Sequence, residues 1–439
     1  MAIDAGIADR ARLALRADLL DFTAAPGWDE TAPAAVRFRP DHWLLVEDGR
    51  IAGVIRGDQA PDPGFHRIDH RGRLLLPGFI DTHVHSPQLD VIASHGTELL
   101  DWLENYTFPA EMRFADEHES RTGAERFVAA LLAHGTTSAV VFPTVHKVSA
   151  DCLFEAAQRR GMRLVTGKVL MDRLAPQGLR DDVDQAERDC LDLVARWHGR
   201  DRLAYAVTVR FAASSSPAQL AMAGRLGAQL PGVFVQTHVA ENRDEVALVR
   251  RMFPQARSYL DVYARAGLLG PRSVLAHGIW LDDEDRALLR DSGAQLAHSP
   301  SSNLFLGSGL FDWPAAQASG VAVSIASDVG GGTSLSMIRT MADAYRVQAM
   351  AGRRLTAWTA LHAATRGSAQ ALGLGAEIGS LEPGRIADVC VWDWASGPVA
   401  ERRMALAADL HERIFAWMML ADERNLAEAF VAGVSRHRR

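Results

Sequence analysis

Cysteine is scarce in this chain of 439 residues: there are three, Cys152, Cys190 and Cys390, far apart and odd in number. No CxxC pair occurs, which argues against a disulfide framework and against a thiolate zinc site. Long apolar runs are also missing. None approaches the roughly 18 uninterrupted apolar residues of a membrane span. The stretch Met1 to Leu20 is broken by Asp4, Asp9, Arg10, Arg12 and Arg16, unlike a secretory leader. A cytoplasmic, reducing location with no membrane partner is expected. Lysine is nearly absent, Lys147 and Lys168 being the only two, which reads as genomic composition rather than function. Basic clusters are absent apart from the tail at Arg436, His437, Arg438 and Arg439, expected to be a solvated end. With a net charge of −7, no nucleic-acid partner is expected.

What is present suits a soluble globular protein: 48% hydrophobic residues can fill a large core, and 23% charged residues can solvate its surface. The length accommodates a barrel of 250 or so residues with a smaller domain beside it. Two short β-rich regions bracket a long alternating middle. In front, Ala17–Phe22, His42–Glu47 and Gly49–Arg56 read as strands, with Asp48-Gly49 as a hairpin turn. At the back, Ile386–Trp392 and Ala429–Val434 read as strands, with Ala400–Ala421 between them a helix broken by a loop.

The middle has the βαβ rhythm of a parallel sheet. Its expected strands are Gly78–Val84, Thr136–Phe142, Arg163–Val169, Leu203–Val209, Val233–His238, Ser273–His277, Ala294–His298 and Val321–Ala326. Helices are expected over Glu125–Ala133, Asp182–His198, Pro217–Leu226, Arg243–Arg251, Tyr259–Ala266, Asp282–Ser292 and Met337–Gln348. The fold class is therefore α/β, a (β/α)8 TIM barrel over 77–378. A small β-sandwich domain built from both chain ends takes residues 1–76 and 379–439.

The polar residues at the strand ends carry the chemistry. His83 and His85 are two apart on a strand, so both side chains leave one face. His238 ends the run Val233–Thr237, His277 ends Ser273–Ala276, and Asp328 follows Val321–Ser327. Asp328 precedes Gly330-Gly331-Gly332, which lets the backbone turn sharply from the mouth. C-terminal strand ends form the active mouth of such a barrel. Imidazole and carboxylate donors without thiolate suit a catalytic zinc or iron with an open position. Glu241, three residues after His238, suits a proton carrier in hydrolysis; the plainer reading is a helix cap. Arg210 ends the fourth barrel strand and aims a fork of donors into the mouth, able to pair with a carbonyl oxygen and a ring nitrogen. Trp102, Tyr106 and Phe108 read either as an aromatic lid or as one helix's core face, and His298 as support for the ligands.

These residues resemble the amidohydrolase superfamily over nearly the full chain. Pro77-Gly-Phe-Ile-Asp-Thr-His-Val-His85 looks like its first-strand signature. Asp328 matches its eighth-strand aspartate, and Gly379-Ser-Leu-Glu-Pro-Gly384 with Ala387-Asp388 looks like its return into the β-sandwich. Within the superfamily the chain is most similar to the guanine deaminases, through Thr107–Glu111, Gly167-Lys168-Val169, His238–Val246 and Asp328–Gly331. The resemblance implies a homodimer that binds one Zn2+ per chain, with Fe2+ compatible, through His83, His85, His238 and Asp328. It implies that His277 contacts the attacking water or the metal, and that Glu241 shuttles protons to a purine ring. Gln88 and Arg210 match positions that read the guanine edge, with Phe211 beside Arg210; the lid reading adds Trp102 as an expected substrate contact. Binuclear members use a carboxylated lysine where this chain has Arg210, so a single metal is expected, with Lys168 as a structural or supporting cation.

The expected reaction is deamination of guanine to xanthine and ammonia, with Glu241, His277 and Asp328 catalytic. Deamination of another purine, a pyrimidine or a triazine, dechlorination, or an inactive binding relative are the alternatives. The HxE and PCxxC signature of the other zinc deaminases is absent.

Overall fold

Alternating apolar residues in the first part of the chain build half a sheet. The computed structural model describes residues 12–95 and 99–439. Asp4, Asp9 and Arg10 of the charged N-terminal stretch lie outside the described residues. Four strands come first: β1 (Arg12–Phe22), β2 (Val36–Glu47), β3 (Arg50–Arg56) and β4 (His66–Pro77). Asp48 and Gly49 turn β2 into β3 with φ of 47° and 75°, the hand that a two-residue hairpin needs. β4 is not among the expected strands. Its first half is dominated by charged, outward-facing residues, and its register with β1 slips between Arg16 and Asp18, so the two-residue period is broken.

The middle follows as β5 (Phe79–His85), β6 (Thr136–Phe142), β7 (Arg163–Thr166), β8 (Val169–Leu170), β9 (Leu203–Val209), β10 (Phe234–Val239), β11 (Ser273–His277), β12 (Gln295–His298) and β13 (Val323–Ile325). These pair in parallel in the order β5-β6-β7-β9-β10-β11-β12-β13, with β8 beside β9. The barrel closes at its mouth: Asp328 N–H donates to the His83 carbonyl at 3.0 Å and His85 N–H to that of Val329 at 2.8 Å. The segment that carries the aspartate is thus itself the last rung between the eighth strand and the first. Ile80, Val140, Val165, Phe234, Val274 and Ala297 fill the interior.

Helices cover the outside, several started by a side chain that accepts a backbone N–H: Asp182, Ser216, Asn242, Ser258 and Asp282. Each such cap stabilises by about 1 kcal/mol. Several helices are missing from the expected set, the longest being Lys147–Arg160. Its buried face includes Ser149, Ala150, Cys152, Ala156 and Ala157, small residues that give little amphipathic contrast.

The chain ends on β14 (Val389–Trp392), β15 (Leu426–Val431) and β16 (Val434–Arg438). They join the front strands in one sheet ordered β16-β15-β14-β4-β1-β2-β3, in which Leu76 of β4 faces Cys390 of β14. The sheet curls until β3 meets the segment before β14, through an Arg50–Ile386 bridge and an Ile51 N–H to Arg385 carbonyl bond of 2.8 Å. Leu15, Leu19, Leu44, Leu75, Val389 and Phe430 form the core it encloses. The basic tail is therefore an edge strand rather than a solvated end, and only Arg439 lies beyond it. Trp392, fully buried, packs against Phe79 and Trp417 and so fastens the sheet to the barrel. Among the described residues no helix is long and apolar enough to cross a membrane.

Candidate active site

His83, His85, His238 and Asp328 converge at the barrel mouth, each offering one donor atom within 4.8 Å of the others. His83 Nε2 and His238 Nε2 each lie 3.2 Å from His85 Nε2, and His83 Nε2 is 3.1 Å from Asp328 Oδ1. The His238 ring has its other nitrogen, Nδ1, 2.6 Å from the Arg210 carbonyl. A carbonyl only accepts, so the proton sits on Nδ1 and Nε2 presents a bare lone pair. Burial pushes His85 down to about 4, against the pull of Asp328, and pushes His238 well below its ordinary value. Burial alone would raise Asp328, yet the facing imidazoles of His83, His85 and His277 hold it well below the usual carboxylate range. Neutral imidazole nitrogens about 3 Å apart around an ionised carboxylate repel one another unless a cation lies among them. The donor set fits a divalent metal.

The supporting contacts are backbone-directed. Asp81, buried two residues before His83, accepts from the Ser327 hydroxyl at 2.5 Å and from the Ser327 N–H at 3.0 Å, tying β5 to the turn that presents Asp328. Burial pushes its carboxyl up to about 6. Tyr263 donates its hydroxyl to the His238 carbonyl at 2.7 Å. Ala240, His277 and Asp328 all adopt left-handed backbone, with φ of 47°, 71° and 50°. Such residues cost about 1–3 kcal/mol each and persist where surrounding structure over-determines them.

Beside the cluster, Glu241 Oε2 stands 3.3 Å from His277 Nε2, and His277 Nε2 is 3.7 Å from Asp328 Oδ2. Glu241 is not a helix cap: Asn242 caps the helix Arg243–Met252, in a capping box with Glu245. Burial, and then the charges of Asp328 and Glu245, raise the Glu241 carboxyl well above its ordinary value, although the Ser308 hydroxyl donates to it at 3.0 Å. His277 is pushed down to about 3 by burial. Its Nδ1 receives the Asn303 amide at 2.9 Å, which leaves the ring proton on Nε2, facing Glu241 and Asp328.

A cavity opens onto this cluster, bordered by Gln88, Trp102, Arg210, Phe211, Glu241 and Leu306 among others. Every expected metal-binding, catalytic and substrate-contact residue except His83 lines it. The choice between lid and core for the aromatic segment dissolves. Trp102 is 2% exposed within a satellite core with Leu103 and Phe108, and also forms a wall of the cavity, while Tyr106 packs on that core from outside. Lys168 sits where β7 breaks from β8 and pairs with Asp181 at 2.5 Å, a structural cation. His298 makes no hydrogen bond to a donor residue of the cluster; it stacks on Phe311 with ring centroids 4.7 Å apart and contacts Trp313.

Four residues at the site are absent from the expected set: Glu111, Glu245, Asn303 and Ser308. Glu111 is fully buried and ion-paired with Arg210 at 2.7 Å. It lies inside one of the matching stretches, Thr107–Glu111, but an acidic residue after Phe-Pro-Ala carries no local sign of burial. Glu245 accepts from the N–H of Glu241 at 3.0 Å and the hydroxyl of Tyr259 at 2.6 Å, holding the turn between ligand and carboxylate.

Known proteins align with this arrangement over almost the whole chain. Residues 74–435 match the amidohydrolase family. The guanine deaminase of Escherichia coli strain K12 is 40% identical over 423 residues, 96% of each chain. The solved structure of the E. coli guanine deaminase superposes with a TM-score of 0.93 at 38% identity, covering 98% of this chain and all of that one. A guanine deaminase from C. acetobutylicum, solved with guanine in its active site, gives a TM-score of 0.87 at 27% identity, covering 97% of this chain and 99% of that one. The chain thus belongs to the amidohydrolase family, in its guanine deaminase group.

Proposed function

We propose that this protein hydrolyses guanine to xanthine and ammonia, with one divalent metal ion, zinc, held by His83, His85, His238 and Asp328. The observation that carries the reading is the meeting of this donor ring, a buried proton-carrying carboxyl and a fork of donors around one cavity. The C. acetobutylicum relative binds guanine in its active site, which supports the purine assignment. Nitrogen donors with one carboxylate and no thiolate suit a catalytic zinc site with an open position, and Fe2+ is compatible with the same donors.

A divalent ion held there supplies Lewis acidity, making water a competent nucleophile near neutral pH. Asp328 is ionised and can take a proton from the attacking water. His277, with its proton on Nε2, orients that water from the side of Glu241. Burial raises the Glu241 carboxyl well above its ordinary value, which favours a proton there to donate to the purine ring as the carbon bearing the amine is attacked; the carboxylate that remains can then take a proton from the added hydroxyl and pass it to the amine, which leaves as ammonia. Arg210 and Gln88 read the far edge of the ring, and Phe211 and Trp102 close apolar surface around it. The three cysteines are buried thiols, consistent with a reducing, cytoplasmic setting. A homodimer is the expected assembly, and sedimentation equilibrium checks it.

The test is elemental analysis of the purified active protein together with ammonia release across nucleobases and triazines. One zinc or iron per chain and turnover on guanine are expected. Activity without a metal, or on another ring and not on guanine, would overturn the reading.

A further inference from the structure

The residues that face the substrate edge are held from behind by a single carboxylate. Glu111 lies near the end of the short helix Phe108–Met112 and is fully buried. Its Oε1 accepts from Gln88 Nε2 at 3.1 Å and from Arg210 Nη1 at 2.8 Å, and its Oε2 accepts from the same Nη1 at 2.7 Å. An ionised carboxylate only accepts, so the Gln88 amide must turn its nitrogen toward it. The Gln88 oxygen is then committed to the N–H of Gly330, at 3.1 Å. On Arg210 one terminal nitrogen is consumed. Nε and the other terminal nitrogen have no hydrogen-bond partner among the described residues, and Arg210 borders the cavity. Phe108, three residues before Glu111, lies over the guanidinium at 5.5 Å from ring centroid to Cζ.

We propose that Glu111 is a positioning residue for substrate selection: it sets the direction of the Gln88 amide and aims the unspent donors of Arg210 into the cavity. A site built this way demands hydrogen-bond acceptors on the incoming ring, as on the edge of guanine that carries the 6-carbonyl. Rings without that acceptor leave buried donors unpaired, a stronger basis for rejection than shape. The inference rests on the guanine reading and deepens it.

The experiment compares Glu111→Gln with the unaltered protein, using guanine as substrate and 2-aminopurine as competitor. 2-Aminopurine carries the amine at the same carbon but lacks the 6-carbonyl. In Glu111→Gln the KM for guanine is expected to rise by about tenfold or more, the effect of losing one charge-assisted hydrogen bond. Its kcat should fall less than about threefold, and the Ki of 2-aminopurine should stay within about threefold, because neither depends on the carbonyl contact. Bound metal per chain should not change. An unchanged guanine KM, or equal weakening of both ligands, would overturn the proposal, since a merely structural role moves both together. If Glu111→Gln fails to accumulate as folded, metal-loaded protein, Glu111→Asp keeps the charge at a shorter reach. It should raise the guanine KM selectively over the 2-aminopurine Ki, and parallel changes would again overturn the assignment. Failure of the underlying reading is separately visible, as unaltered protein that releases no ammonia from guanine.

Discussion

At the scale of single residues, Glu241 and His298 are two buried titratable side chains put to opposite uses. Glu241 borders the cavity with its carboxyl raised well above the ordinary value by burial, so Glu241→Gln should keep the metal while turnover falls by about 10²–10⁴-fold, the usual contribution of a positioned proton carrier. Elemental analysis and an ammonia assay on the same sample check both halves. His298 has neither ring nitrogen hydrogen-bonded to a protein group and is pushed down to about 3 by burial. Its unfolded value is near 6.5, so the unfolded chain takes up the proton first. The associated stability is complete above about pH 6.5 and is lost as pH falls toward 3, at about 1.4 kcal/mol per pH unit. Urea unfolding at pH 7 and pH 5 should therefore show a drop about 2 kcal/mol smaller in His298→Leu than in the parent. The ligands could be read in the sequence because each ends or directly follows an apolar run, a local property. The residues behind them could not. Glu111 lies 99 positions from Arg210, and Ser308 lies 67 from Glu241, so nothing near either in the chain reveals the contact.

Elements were legible where a period was clean and illegible where backbone met backbone. Arg163–Val169 reads as one strand but divides into β7 and β8 around Gly167, where an added Cβ would stand 2.0 Å from the Ala206 carbonyl oxygen. The run Gly330-Gly331-Gly332 reads as a sharp turn, yet none of the three has positive φ; the left-handed residue is Asp328. These glycines serve close approach. A Cβ on Gly332 would lie 1.8 Å from the Ser327 carbonyl oxygen, and one on Gly330 would lie 2.6 Å from that of Gln88. Gly332→Ala should therefore displace the aspartate while leaving the helices intact. Zinc affinity is expected to fall about 10–100-fold, the range seen when a ligand's support is disturbed, with an unchanged far-ultraviolet circular dichroism spectrum. A chelator competition series measures it.

On the scale of the whole molecule, the donor cluster, the last rung of the barrel and the ends of three strands, β5, β10 and β13, are one object. Binding energy at the donors should therefore appear as global stability. Loaded protein with free zinc at about a thousand times Kd should exceed the chelated form by roughly 4 kcal/mol. Calorimetry before and after chelation, followed by refilling, checks the value and its reversibility. The alternation of strand and helix was enough to foresee the barrel, because each βαβ unit is written locally. The way the terminal strands interleave was foreseen only as a shared module, since pairing across the length of the chain leaves no periodic trace.

That interleaving orders events during synthesis. β4 presents an open edge to Leu76 until Cys390 has been made, because β14 is its partner there. A nascent chain can assemble its barrel strands in sequence while this edge stays unpaired, and unpaired edges invite association with other chains. The ribosome must pass β14 before β4 acquires this neighbour, so chains stalled short of β14 are the ones that chaperones should be found holding.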